Sequence, residues 1–273
     1  MSEGRDRVAV VLAASKGLGR SCAQALAERG WNLVVCSRSQ DGVDETVASL
    51  EALGATATGV PADVSKASDI PAVFAHADEQ FGRVDASVCN AGGPPPGQFL
   101  ELDDDVWIRG YEPTLMSTVR AMREAIPRMQ AGGYGRLIVL GSSSVRRPLP
   151  KLVLSNAYRP ALAGIIRPLA VELGTDGITA NMISPGRLDT ARVRELDARS
   201  AEPQGISPEE ARRRSEGTIP MGRYGEPSDL ANAVAFVASE DAGYLTGQSL
   251  LIDGGLVPTI PWSQAHGRVP RLV

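Results

Sequence analysis

Residues 8–21, VAVVLAASKGLGRS, join an unbroken apolar run to a turn carrying Gly17 and Gly19. The run reads as a buried strand, and the Ala/Leu-periodic stretch 18–29 behind it reads as a helix. A glycine-rich turn in that setting aims backbone N–H groups and the positive end of a helix at a phosphate. Two glycines also serve an ordinary tight turn, so the rest of the chain has to decide between the readings.

The same alternation repeats downstream. NLVVC precedes a helical pattern at 41–53, and TATGVPADV precedes one at 66–81. ASVCNAGG gives a fourth strand, a long helical pattern runs from about Thr114 to Met129, and GRLIVLGSSS gives a fifth strand. A helix near 156–173, the strand ITANMIS, a polar segment at 187–218, a helix at 228–238 and the strand QSLLID complete the order. Strands alternating with helices specify an α/β fold, a doubly wound parallel sheet of Rossmann type, and residues 1–273 form one domain. Segment 187–218 is charged and leaves the carboxyl end of a strand, where open α/β sheets bind ligands, so it is expected to be a substrate lid.

Composition narrows the function. The 273 residues carry 28 Lys and Arg against 32 Asp and Glu, a net charge of -4, which gives no general attraction to nucleic acid or to an anionic membrane. Cys22, Cys36 and Cys89 sit singly in apolar stretches, as small buried hydrophobes in a reducing compartment do. His76 and His266 are the only histidines, so no His/Cys metal constellation can be assembled. The opening MSEGRDRVAVVLAA is charged where a signal peptide would be apolar, and a cytoplasmic protein is expected.

The second strand ends at Ser37-Arg38. An acid there would accept from an adenosine ribose, whereas arginine suits a 2′-phosphate, and Lys16 inside the first turn adds a second cation. With these residues on the page, the chain resembles the short-chain dehydrogenase/reductase superfamily, in particular its bacterial ketoacyl-reductase-like members, from the turn to GYLTGQSLLIDGG. Members usually read Thr-Gly-x-x-x-Gly-x-Gly in the turn; here Leu12 and Ala13 replace the Thr and first Gly. ADV (Asp63, Val64) matches the segment beside the adenine, NAGG (from Asn90) the strand end beneath the cofactor, and SPGRLDT the segment whose Thr190 lies near the nicotinamide carboxamide. The resemblance implies NADP(H), held by Ala13, Ser15, Lys16, Gly17, Leu18, Gly19, Ser37, Arg38, Asp63, Val64, Asn90, Ala91, Gly92, Arg159, Pro185, Gly186 and Thr190.

The family's catalytic tetrad is a Ser, a Tyr thirteen residues later, a Lys four beyond that, and an Asn on the preceding long helix. Anchoring that pattern on Tyr158 puts Leu162 at the Lys position and Val145 at the Ser position. Counting back without gaps from Pro185-Gly186 instead gives Arg159 for Lys, Ser155 for Tyr and Ser142 for Ser, and counting back from Met129 gives Thr114 for Asn. We adopt the second register, which makes the active site atypical. Arg159 can clamp a ribose but cannot lose a proton, and Ser155 can orient a carbonyl but is no tuned acid. Losing a positioned acid typically forfeits about 10² to 10⁴ in rate, whereas hydride transfer belongs to the cofactor and can survive.

Pro160 and Pro168 predict a late helix start near Asn156 or Ala157, with a bend around Pro168, leaving Ser155 in a flexible segment. Tyr158 could then turn inward as an alternative acid. Arg146, Arg147 and Lys151 in RRPLPK flank the expected cleft and suit an anionic or carrier-bound substrate, although an exposed loop of this composition is ordinary. The reading reached is an NADPH-dependent carbonyl reductase with a degenerate tetrad, acting on a small-molecule carbonyl. The alternatives are an NADP(H)-binding sensor or partner subunit without redox turnover, and a non-redox dehydratase or isomerase on the same fold. Helices 114–129 and 156–173 resemble those that pair across subunits in the family, and Leu115, Met116, Val119, Met122 and Ile126 make the first apolar on several faces. A homotetramer, or failing that a homodimer, is expected.

Overall fold

The computed structural model describes residues 7–257. His266 therefore lies outside the described residues. Seven strands pair in the order β3-β2-β1-β4-β5-β6-β7: β1 (Val8–Val11), β2 (Asn32–Ser37), β3 (Ala57–Pro61), β4 (Ala86–Cys89), β5 (Gly135–Leu140), β6 (Ile178–Pro185) and β7 (Ser249–Ile252). Every pairing is parallel. The order reverses between β1 and β4, so their carboxyl ends diverge and open a crevice, the place where sheets of this kind take ligands.

Both faces of the sheet are covered, as the near-continuous apolar strands require. On one face α1 (Gly17–Ala27), α2 (Gln40–Glu51) and α9 (Pro227–Ala238) bury Cys22, Leu26, Leu50, Leu230 and Val234 against Val11, Leu33 and Ile138. On the other, α3 (Asp69–Phe81), α5 (Ser117–Gly132) and α6 (Val153–Glu172) bury Phe74, Met122, Met129, Leu162 and Ile166 against Val10, Leu137 and Met182. The three cysteines are buried and free, with burial pushing the Cys22 thiol up to about 12.

Two local expectations are corrected. The prolines do not delay α6: it starts at Val153 and runs through Pro160 and Pro168 to Glu172, with Ser155 buried in its first turn. Packing decides this, because Leu154, Leu162 and Ile166 anchor one face in the core, while Pro168 and Gly164 lie exposed on the other, where the carbonyl that loses its donor to Pro168 is open to solvent. The helix expected from about Thr114 to Met129 is present as α5, but its first residues belong to a π turn (Glu112–Met116) that continues a short α4 (Asp104–Tyr111). In that turn the Ser117 N–H reaches back five residues to the Glu112 carbonyl, and the Ser117 hydroxyl donates to the Pro113 carbonyl at 2.6 Å. The polar segment 187–218 is built from α7 (Ala191–Ala201) and α8 (Pro208–Glu216).

In the first turn Ala13 adopts a left-handed φ of 49°, a conformation that favours glycine. That conformation costs a residue with a Cβ about 1–2 kcal/mol. Ala13→Gly is expected to stabilise the cofactor-free protein by about 1 kcal/mol, raising its melting temperature by roughly 2–4 °C. An unchanged or lower melting temperature would show that the turn bears no strain.

Candidate active site

The crevice begins with the turn after β1. The Leu12 N–H donates to the Val88 carbonyl at 3.1 Å and the Ala14 N–H to Cys36 at 2.9 Å, tying the turn to both neighbouring strands. Asn90, at the end of β4, donates to the carbonyls of Leu12 (3.2 Å) and Ala13 (3.1 Å). A Cβ on Gly19 would lie 2.5 Å from the Ala13 carbonyl and 2.6 Å from the Asn90 amide, so only glycine fits. Gly17 takes a φ of 57° and faces open space. Lys16 caps α1 without a side-chain hydrogen bond, and no acid occupies the first turn. The free N–H groups and positive helix end fit a pyrophosphate.

Ser15 and Leu18 are half-buried along this turn, while Lys16 and Arg38 are exposed and neither makes an ion pair among the described residues. Ser37 is buried and donates to the Ser39 carbonyl at 2.9 Å. Asp63 holds the Ser65 hydroxyl at 2.7 Å and its N–H at 3.0 Å. Those bonds, with help from the charges of Arg38 and Lys66, keep the Asp63 carboxyl below the ordinary range. Val64 is buried beside it. Ala91 and Gly92 continue from Asn90 along the crevice rim.

The carboxyl end of β5 carries the second half of the site. Arg159 donates through one guanidinium nitrogen to the carbonyls of Leu140 at 2.7 Å and Gly141 at 3.0 Å. It makes no salt bridge among the described residues, and burial pushes its pKa down to about 10, so it stays charged at neutrality. Ser155 lies one helical turn earlier on the same face of α6. Its hydroxyl pairs with Ser144 at 3.1 Å, while the Ser142 hydroxyl accepts the Ser144 N–H at 3.2 Å. Thr114 is 2 % exposed and its hydroxyl has no hydrogen-bond partner.

The structure thus joins Ser155 to Ser144 directly, with Ser142 connected through the Ser144 backbone. Ser144 was missed because three consecutive serines look alike in sequence; the short 3-10 turn Ser143–Val145 selects the one that meets α6. Asn156 was also missed. Its side chain donates to the Leu149 carbonyl and accepts the Leu149 N–H, both at 2.9 Å, holding the loop that carries Arg146, Arg147 and Lys151. Those three cations are exposed.

Tyr158 points elsewhere. Its hydroxyl donates to the Trp107 carbonyl at 2.9 Å, and its ring packs edge-on against Trp107 and Tyr111, each with centroids 5.8 Å away. Burial, followed by Tyr111, raises its pKa, which makes it a poorer proton donor.

Pro185 and Gly186 close β6, and the Gly186 N–H donates to Ile252 at 2.9 Å. Thr190 caps α7, accepting the Val193 N–H at 3.3 Å. Segment 187–218 is pinned: Asp189 accepts from Arg194 at 2.7 Å and Arg212 at 2.9 Å, and buried Asp197 accepts the Tyr224 hydroxyl at 3.0 Å and Arg187 at 3.2 Å. Arg192 crosses from α7 to the Pro94 carbonyl at 3.2 Å, linking this segment to the loop after β4. Nothing in the spacing of the sequence pairs Arg192 with Pro94.

Of the apolar residues expected between subunits, Met122 turns into the core, whereas Leu115, Met116, Val119 and Ile126 are half-buried. Phe99, Leu100, Ile108, Tyr111 and Val171 are among the exposed apolar side chains. No group of acidic, His and Cys residues able to hold a metal occurs among the described residues, and no helix there is long and apolar enough to cross a membrane.

Comparison with known proteins agrees with this fold. The sequence profile of the family described as enoyl-(acyl carrier protein) reductase matches residues 12–257. The pig (Sus scrofa) dehydrogenase/reductase SDR family member 4 is 34% identical over 92% of this chain and 87% of its own. The actinorhodin polyketide ketoreductase solved with NADPH superimposes with a TM-score of 0.88 at 30% identity, covering 94% of this chain and 98% of its own. The L-sorbose reductase of Gluconobacter frateurii, solved with NADPH and L-sorbose, gives a TM-score of 0.89 at 30% identity, covering 95% of this chain and 100% of its own. With kinship along nearly its full length added to the sheet order and the phosphate turn, the chain belongs to the short-chain dehydrogenase/reductase family.

Proposed function

We propose that this protein is an NADPH-dependent carbonyl reductase whose tetrad has become Thr114, Ser142, Ser155 and Arg159. The observation carrying the reading is Arg159, a fixed cation one turn from the Ser155–Ser144 hydroxyl pair at the end of β5. NADPH supplies hydride. Lys16 and Arg38 receive its 2′-phosphate, the α1 N-terminus its pyrophosphate, and Asp63, Val64, Ala91 and Gly92 line its path towards Pro185, Gly186 and Thr190. Arg159 holds the nicotinamide ribose, and Ser142 and Ser155 orient the carbonyl oxygen. The hydroxyls of Thr114, Ser142 and Ser155 are no tuned acids and Arg159 stays charged, so the proton comes from water. Segment 187–218 acts as the lid, with Arg192 as its latch on Pro94. The kinship with NADPH-bound reductases supports the choice of cofactor.

Two substitutions separate this assignment from the Tyr158 alternative. Ser155→Ala should lower turnover about tenfold or less, because it removes a hydrogen bond and not an acid. Tyr158→Phe should leave turnover within about threefold, and cost about 1 kcal/mol of stability through the lost bond to Trp107. A drop near a thousandfold in Tyr158→Phe, with cofactor affinity intact, would make Tyr158 the proton donor and overturn the scheme.

Subunit contacts are placed on α5 and α6 with the neighbouring apolar side chains of α4, in a tetramer or a dimer. Light scattering at micromolar concentration checks it; a monomer refutes it.

A further inference from the structure

The helices α7 and α8 have little apolar surface to hold them in place. They are 11 and 9 residues long and rich in charge, and their only buried side chains are Asp197, Ala201 and Ala211. Helices this short are marginal in water unless an apolar face packs into a core, and two alanines do not make such a face. Their position must come from polar contacts, and those contacts converge on one buried carboxylate.

The stem of the segment is closed by the bridge between Leu188 and Gly225. The Gly225 N–H donates to the Arg187 carbonyl at 3.0 Å and the Asp189 N–H to the Gly225 carbonyl at 2.8 Å. Tyr224, next to that stem and 2 % exposed, reaches the middle of α7, where its hydroxyl lies 3.0 Å from each carboxylate oxygen of Asp197. Arg187 donates to one of those oxygens, so Tyr224 is the sole side-chain donor to the other among the described residues. The Arg212 guanidinium of α8 lies over the Tyr224 ring, 4.8 Å from its centroid, and donates to Asp189 at 2.9 Å. One phenol therefore ties both helices to the stem. A buried carboxylate oxygen stripped of its donor is costly, so α7 should leave its seat when that phenol is lost. Across the crevice, by contrast, α7 is held by the single bond from the half-exposed Arg192 to the Pro94 carbonyl.

We infer, resting on the reductase reading and on the lid role of segment 187–218, that the Tyr224–Asp197 contact keeps the lid seated before substrate arrives, which makes Tyr224 a positioning residue for substrate binding. A carbonyl compound meeting a seated lid pays no cost for ordering it. Where the lid is loose, the apparent affinity falls by the fraction of molecules in which it is in place. Entry then needs only the Arg192 contact to give way. Neither Asp197 nor Arg212 belongs to the groups assigned to the cofactor or the carbonyl, so the chemical step is untouched once substrate has selected the seated lid.

Trypsin reads the seat without any turnover, because α7 and α8 carry six arginines: Arg192, Arg194, Arg199, Arg212, Arg213 and Arg214. Cleavage inside 187–218, mapped by mass spectrometry, should be at least about tenfold faster in Tyr224→Phe than in wild type. Tyr134→Phe loses a hydroxyl bond to the Ala238 carbonyl outside the lid and should leave that rate within about twofold. Asp197→Asn keeps one acceptor oxygen for the phenol, should fall between wild type and Tyr224→Phe, and serves as the test if the latter does not fold. Equal cleavage of wild type and the lid variants, or equal acceleration in Tyr134→Phe, would overturn the inference whatever the protein catalyses. In turnover with NADPH, using whichever of ethyl acetoacetate, cyclohexanone and acetophenone is reduced fastest, Tyr224→Phe should raise KM at least about tenfold and leave kcat within about threefold. A fall in kcat at unchanged KM would overturn the positioning role while leaving the reductase reading standing. Faster lid cleavage in a protein that reduces none of the three carbonyls would support the seat and count against the reductase reading.

Discussion

Arg159→Met should raise the dissociation constant for NADPH between about tenfold and a hundredfold, the equivalent of roughly 1.5–3 kcal/mol for a charged hydrogen-bond donor beside the ribose. The guanidinium bears its burial without a carboxylate, which is why its pKa falls to about 10. Its folded value lies below the unfolded one, so the charged form costs stability at every pH below about 10, and that cost eases only as the pH rises beyond it. A ligand that supplies acceptors recovers part of this cost. Removing the side chain also leaves the carbonyls of Leu140 and Gly141 without their donor. Arg159→Met should therefore melt at a lower temperature as well, and Arg159→Lys should fall between it and wild type, because an ammonium keeps the charge but not the planar fork. Titration calorimetry decides; an NADPH affinity within twofold of wild type would remove Arg159 from the cofactor site.

Arg38→Asp should reverse the choice of cofactor. Wild-type protein is expected to bind NADPH at least about tenfold more tightly than NADH, roughly 1.4 kcal/mol. The exposed cations Lys16 and Arg38 make no ion pair among the described residues, with Arg38 acting on Asp63 only through its charge, and a 2′-phosphate would supply a direct partner. An aspartate at 38 would repel that phosphate and accept from the free 2′-hydroxyl of NADH, swinging the ratio about a hundredfold. Equal affinities in wild type, or an Arg38→Asp variant that still prefers NADPH, would defeat the assignment.

The sheet and its phosphate turn were legible because their signals are local. A short β-branched apolar run bounded by turn residues reads as a buried strand, and in VAVVLAASKGLGRS the turn falls between such a run and a helical pattern, with the repeated alternation downstream deciding the reading. Proline was a poorer guide. The penalties of Pro160 and Pro168 are real, but Leu154, Leu162 and Ile166 bury enough surface to hold α6 through both.

What the sequence by itself determined is the α/β class, the doubly wound parallel sheet and the alternation of strands and helices along the chain. What only the tertiary structure decided is which groups meet. Tyr158 and Arg159 are adjacent in sequence, yet the helix turns successive side chains about 100° apart, so one packs against α4 and the other reaches the end of β5. Ser144, not Ser142, meets the Ser155 hydroxyl because a 3-10 turn intervenes. Arg192 reaches Pro94 across 98 positions of chain. Contacts of this kind depend on how whole elements pack, and composition and periodicity do not encode that geometry residue by residue.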